Sequence, residues 1–187
     1  MLFVGINPSL RSEALGHHFA GPGNPFWRLL YAARLVPVEL THAEDRRLAE
    51  FGLALTNLCP RATRAAAELS RQEIELGKRR LIAKIRHVRP AVVAFVGVTI
   101  YREFFGKPPP GTSELRSIES AGGVAHAGTT TTAGAGAKTE RIGAAKVFVL
   151  PNPSGLNASF PGFKHKLVWF ERLREFIDAL PCPPSKA

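Results

Sequence analysis

Four short, largely apolar runs, Leu2 to Ile6, Leu53 to Thr56, Ala91 to Val96 and Lys146 to Leu150, recur along the chain with helical patterns between them. Strands buried on both faces look like this, continuous where a half-exposed strand would alternate. Helical segments fall at Phe26 to Leu35, Ala43 to Phe51, Thr99 to Phe105 and Lys164 to Leu180, and the clearest one opens at Ser70. There Glu73 completes a capping box, Ile74, Leu81, Ile85 and Val88 share one face, and Arg89-Pro90 ends the helix. Its other face, with Lys78, Arg79, Arg80, Lys84 and Arg86, is that of a solvated helix. Alternation of this kind predicts an α/β fold: a three-layer α/β/α sandwich around a central, mainly parallel four-stranded sheet.

With 187 residues, 45% of them hydrophobic, the chain suits one domain, 1 to 187, and is short for two. Residues 107 to 145 break the pattern. They run from Lys107-Pro108-Pro109-Pro110-Gly111 through Gly122-Gly123 to the Gly, Thr and Ala tract at 128 to 136, and they are expected to form a low-complexity surface insertion between the third and fourth strands.

Two strand ends carry matching turns. Gly5-Ile6-Asn7-Pro8 follows the first apolar run, and Asn152-Pro153-Ser154-Gly155-Leu156 follows the last. In an open α/β sheet, ligands bind beyond the carboxyl ends of the strands, so turns far apart in sequence can face one cleft. Asn7 and Asn152 are therefore candidates for a single site.

A formal charge of +10 and a pI near 10.3 point to a polyanionic partner. No stretch approaches the roughly 20 apolar residues of a membrane span, and a soluble, cytoplasmic protein without a membrane partner is expected. Only Cys59 and Cys182 are present, which is too few for a disulfide framework, a zinc ribbon or a four-cysteine cluster. The six histidines are scattered apart from His17-His18, whose side chains are expected to diverge, so no metal site is assigned. The P-loop, dinucleotide, zincin and nucleophile-elbow signatures are absent from the sequence.

Gly5-Ile6-Asn7-Pro8 and Asn152-Pro153-Ser154-Gly155-Leu156 stand with Gly16-His17-His18-Phe19-Ala20-Gly21-Pro22-Gly23-Asn24-Pro25-Phe26-Trp27. Together with Leu55-Thr56-Asn57-Leu58 and Gly77-Lys78-Arg79-Arg80-Leu81-Ile82, they make the chain resemble the mismatch-specific uracil/thymine DNA glycosylases of the uracil-DNA glycosylase superfamily. The resemblance covers nearly everything outside 107 to 145. It implies hydrolytic release of uracil, or more weakly thymine, opposite guanine in double-stranded DNA by a monomeric, monofunctional enzyme, leaving an abasic site without metal or cofactor.

The resemblance also implies roles. Asn7 holds the attacking water and, being an amide, is no strong general base. Ile6, Ser12, Phe19, Asn57 and Asn152 form the base pocket, with Phe19 stacking on the extruded pyrimidine and Asn57 contacting its polar edge. Ser154, Gly155, Leu156 and Asn157 belong to the wedge that fills the hole left by the flipped nucleotide. Ser9 stands where the common pattern has Gly, while Val98 and Ala158 or Ser159 lie where relatives often carry Lys and Arg. Phosphate contacts are therefore expected from Lys164 and Lys166. Ser12 resembles the uracil-preferring members and Asn57 the thymine-active ones. Two rival expectations stand beside this one: a superfamily glycosylase for another damaged base, hypoxanthine or ethenocytosine, and a catalytically silent mismatch-binding protein.

Overall fold

The computed structural model describes residues 1–106, 134–154 and 160–181. Its sheet has five strands in the order β2-β1-β3-β5-β4: β1 Leu2–Gly5, β2 Ala54–Asn57, β3 Val92–Val96, β4 Gly136–Ile142 and β5 Ala145–Leu150. The pairs β1–β2, β1–β3 and β3–β5 are parallel, and β4 runs antiparallel to β5.

The central strands are buried along their whole length, as their continuous apolar runs require, and their side chains alternate between two cores. Phe3, Val92, Ala94, Val96, Phe148 and Leu150 face one core, shared with α2 (Phe26–Ala32), α5 (Gly162–Asp178) and a 3-10 stretch, His42–Phe51. Leu2, Val4, Val93, Phe95 and Val147 face the other, shared with α3 (Arg71–Val88) and α4 (Val98–Phe105). Helices therefore cover both faces, and each fully buried Leu or Phe contributes about 1.5–3 kcal/mol.

The sheet differs from expectation by its fifth strand. β4 lies inside the stretch assigned to the insertion. Its sequence is polar, with Lys138, Thr139, Glu140 and Arg141, because an edge strand needs a hydrogen-bonding neighbour on one side and no burial of both faces. A two-residue turn at Gly143, φ 62°, returns it to β5 with Ile142 opposite Ala145. The rest of that stretch, 107–133, lies outside the described residues.

Local signals behave as written. The Ser70–Glu73 capping box is formed, and α3 stops at Arg89, whose φ of 50° cannot continue a helix. Val88, expected on the buried face, is instead half exposed beside this C-cap. A short helix, α1 (Leu10–Leu15), has no long apolar period to announce it. Ser9 is its N-cap, accepting from the Ser12 amide, which gives the departure at Ser9 a local structural reason.

Candidate active site

β1, β2, β3 and β5 all end on one edge of the sheet. From β1 the chain steps outward to β2 and then crosses to β3 on the other side of β1, so the winding reverses beside β1. Open α/β sheets bind ligands at such a reversal. A cavity of about 560 Å³ lies there, and Ile6, Asn7, Ser12, Phe19, Asn57, Asn152 and Ser154 all line it. The sequence separates these residues by almost the whole chain, and parallel pairing brings them together.

Asn7 is oriented by the segment after β2. The ladder between β1 and β2 continues beyond both strands through Leu58 N to Gly5 O, Cys59 N to Ile6 O and Thr63 N to Pro8 O. Asn7 Nδ2 then donates to Arg61 O at 2.9 Å and to Thr63 Oγ1 at 2.7 Å. A carbonyl only accepts, and the Thr63 hydroxyl proton is committed to Ala65 O, so Thr63 Oγ1 accepts from Asn7 as well. The amide cannot be reversed without losing both bonds. Oδ1 is therefore the atom that Asn7 has to offer the cavity: an acceptor, suited to a water proton. Arg61 is itself tied down, its guanidinium on the Glu73 carboxylate and on Glu68 O. That guanidinium, with the Ser70 amide and hydroxyl, holds the Glu73 carboxyl down at about 2.

Gly5 is a requirement of the pocket. A Cβ there would sit 2.5 Å from Asn57 Oδ1 and 3.7 Å from the tip of the Phe19 ring, so only glycine lets both side chains lie over the end of β1. Gly5→Ala is expected to displace the Asn57 carboxamide and slow any reaction at this cavity about 10- to 100-fold, the worth of one lost polar contact of 1–3 kcal/mol. A single-turnover rate for the variant checks this, and an unchanged rate would show that Asn57 is not needed.

Phe19 stands on the core. Its ring stacks on Phe26 at 3.9 Å and 20°, and Phe26 meets Phe3, Trp27 and Phe170 edge-on. Its φ of 53° is uncommon for a bulky residue and needs outside support. Three groups supply it: Asp45 Oδ2 accepts from His18 N, Ser12 Oγ accepts from Ala20 N, and Arg11 Nε donates to Ala20 O. Ser12 is buried and also accepts from Ser9 Oγ. It is thus a brace of the Phe19 loop as well as part of the cavity lining.

His17 and His18 both line the cavity, His17 with its ring against His42 and His18 with its ring against Phe19. His17 Nδ1 lies 3.3 Å from Asp45 Oδ1. Burial lowers the pKa of His18 from its ordinary 6.5; Asp45 opposes the shift, and Lys84 and His17 add to it. The imidazole is thereby held toward its neutral form. The sign follows from linkage: the unfolded chain takes up this proton first, so His18 weakens the fold as the pH falls below 6.5 and leaves it unaffected above.

At the other strand end, Ser154 N donates to Asn152 Oδ1 at 2.9 Å. A backbone N–H only donates, so Oδ1 is fixed as the acceptor and Nδ2 is the donor end of this amide. Lys166 is turned inward, 3% exposed, with Nζ on Pro153 O at 3.0 Å and Ser154 O at 2.9 Å. Burial lowers its pKa. The structure thus places Lys166, expected to contact phosphate, behind this loop with its ammonium on the loop carbonyls. Lys164 is exposed on the first turn of α5 and does not line the cavity. Gly155, Leu156 and Asn157, read as the wedge, and Ala158 lie outside the described residues.

Among the described residues, Arg64 is the only Lys or Arg lining the cavity, and Glu13, exposed, the only acid. Arg64, Thr63 and Asp45 escaped sequence reasoning; Thr63 and Arg64 sit in the turn after Asn57, whose role shows only when it meets β1. Among the described residues the cavity thus has no buried carboxylate pair for acid–base work. It offers oriented amides on an aromatic platform.

The family model of the uracil DNA glycosylase superfamily matches residues 1–174. The chain belongs to that superfamily. Its members are DNA glycosylases, hydrolases of base excision repair that act on DNA, and a basic composition is consistent with such a polyanion. The match spans both Asn-Pro turns and the described residues that line the cavity between them.

Proposed function

We propose that the chain is a mismatch-specific glycosylase that hydrolyses the N-glycosidic bond of uracil, and more slowly of thymine, opposite guanine in duplex DNA. The observation that carries this reading is the opposite anchoring of two amides at one cavity, Asn7 held through its Nδ2 and Asn152 through its Oδ1. The target nucleotide is flipped out, at a cost of a few kcal/mol that is lowest for a mispaired base. Phe19 stacks on the base, and Asn57 pairs with its polar edge.

As the bond from C1′ to the base nitrogen stretches, the sugar gains oxocarbenium character and the base carries away the electron pair. Asn152 Nδ2 faces the negative charge that develops on the base, while Asn7 Oδ1 accepts a hydrogen bond from the water that adds to C1′. One proton stays on the new C1′ hydroxyl and the other passes to solvent, since an amide does not titrate in the useful range. Positioning and electrostatic stabilisation carry the rate.

A base-release panel on duplexes holding uracil, thymine, hypoxanthine or ethenocytosine tests the reading. Uracil opposite guanine should exceed thymine by at least about tenfold, since one methyl in a shaped pocket is worth about 1–3 kcal/mol. Ser12→Ala should raise the ratio of thymine to uracil release, even though losing the acceptor for Ala20 N lowers both rates. A ratio that does not move removes Ser12 from base selection. Faster release of hypoxanthine or ethenocytosine than of uracil would overturn the choice of base, and binding without release of any base would leave a mismatch-binding protein.

A further inference from the structure

We propose that Lys166 is a positioning residue of the base-release step, its buried ammonium setting the orientation of the Asn152 carboxamide through the peptide group that joins Pro153 to Ser154. The inference rests on the role given to Asn152 under the proposed function. Its geometry is a chain of three groups. Lys166 Nζ donates to Pro153 O at 3.0 Å, and the N–H of that same peptide group, on Ser154, donates to Asn152 Oδ1 at 2.9 Å. A second bond runs from Nζ to Ser154 O at 2.9 Å.

A cation bonded to a carbonyl polarises the whole peptide group and makes its N–H a stronger donor, as hydrogen bonds in series do. The stronger that donor, the more firmly Oδ1 is kept on Ser154 and Nδ2 at the opposite end of the amide. Reversal would turn an acceptor toward the departing base, where negative charge develops.

Support for the fold alone would not call for a charge here. A buried ammonium is costly unless its protons are bonded, and an apolar side chain of the same length would fill the space without that penalty. Lys166 forms no ion pair among the described residues, and both of its recorded bonds go to the backbone of the Asn152–Ser154 loop. The charge is directed at that loop.

The test uses Lys166→Met, which keeps the length of the stem, and compares it with the wild type and with Asn152→Ala. In amide-exchange NMR, the Ser154 N–H of the folded variant should exchange at least about tenfold faster, as a broken local bond allows. Release of uracil from a G:U duplex at saturating enzyme should fall at least about tenfold, with duplex affinity within about threefold of wild type. The double variant should release uracil no more than about twofold slower than Asn152→Ala alone, because both changes act on one group. Additive losses, or an unchanged Ser154 exchange rate, overturn the proposal. If Lys166→Met does not fold, Lys166→Gln carries the same comparisons, and failure of both to fold makes Lys166 a residue of the fold and overturns the proposal too. A wild type that releases no base refutes the proposed function instead, while the exchange measurement still decides whether Lys166 holds Ser154.

Discussion

Asn7→Ala is expected to slow uracil release from a G:U duplex by at least about a hundredfold at saturating enzyme, the scale on which one positioned polar group acts in catalysis. Duplex affinity should change little. The side chain sits among polar neighbours, and its Nδ2 is bonded to Arg61 O and Thr63 Oγ1. Removing it deletes the acceptor Oδ1 and leaves those two oxygens to water, while the parallel ladder that joins the turns after β1 and β2 persists through Thr63 N to Pro8 O. The fold should survive with a modest loss of stability. Single-turnover release measured beside duplex binding checks both halves, and a rate equal to wild type would remove Asn7 from the chemistry.

Gly77→Ala should have the largest effect on stability. A Cβ at this buried position of α3 would lie 2.5 Å from Leu58 O, 3.1 Å from Leu58 C and 3.3 Å from Cys59 Sγ. Two of these are backbone atoms, which cannot rotate aside, so helix and loop must separate. Overpacking of this kind costs about 1–3 kcal/mol, more where the backbone itself is the obstacle. Denaturant unfolding should show the loss, and base release should slow at temperatures where the variant is still folded. The reason is the neighbouring chain: the segment displaced at Leu58 and Cys59 continues into Arg61 and Thr63, which hold Asn7. A variant as stable and as fast as wild type would mean that the close approach has slack.

Much of the fold is legible in local pattern. Continuous apolar runs mark β1, β2, β3 and β5 to within a residue or two, and the Ser70–Glu73 box and Arg89-Pro90 bracket α3. β4 is not legible. Its residues are polar, and only the backbone of β5 makes them a strand. The site divides in the same way. Asn7 and Asn152 stand out because each ends a strand in an Asn-Pro turn, and the structure brings both to one cavity. Gly5 and Gly77 appear in the sequence as parts of motifs without a reason, and the reason is an atom from another segment, Asn57 Oδ1 in one case and Leu58 O in the other.

The sequence by itself determined the order of β1, β2, β3 and β5 and of the longer helical segments, the ends of α3, and which turns carry polar side chains. These depend on neighbours within about four residues, which periodicity and capping report directly. Tertiary structure alone decided how the polar groups point. Asn7 is oriented by partners 54 and 56 residues away, the Phe19 loop by Asp45, and Lys166 turns from solvent to the carbonyls of Pro153 and Ser154. An amide reads the same in sequence whichever end it presents, and its direction is set by donors and acceptors that meet it only when distant segments pack.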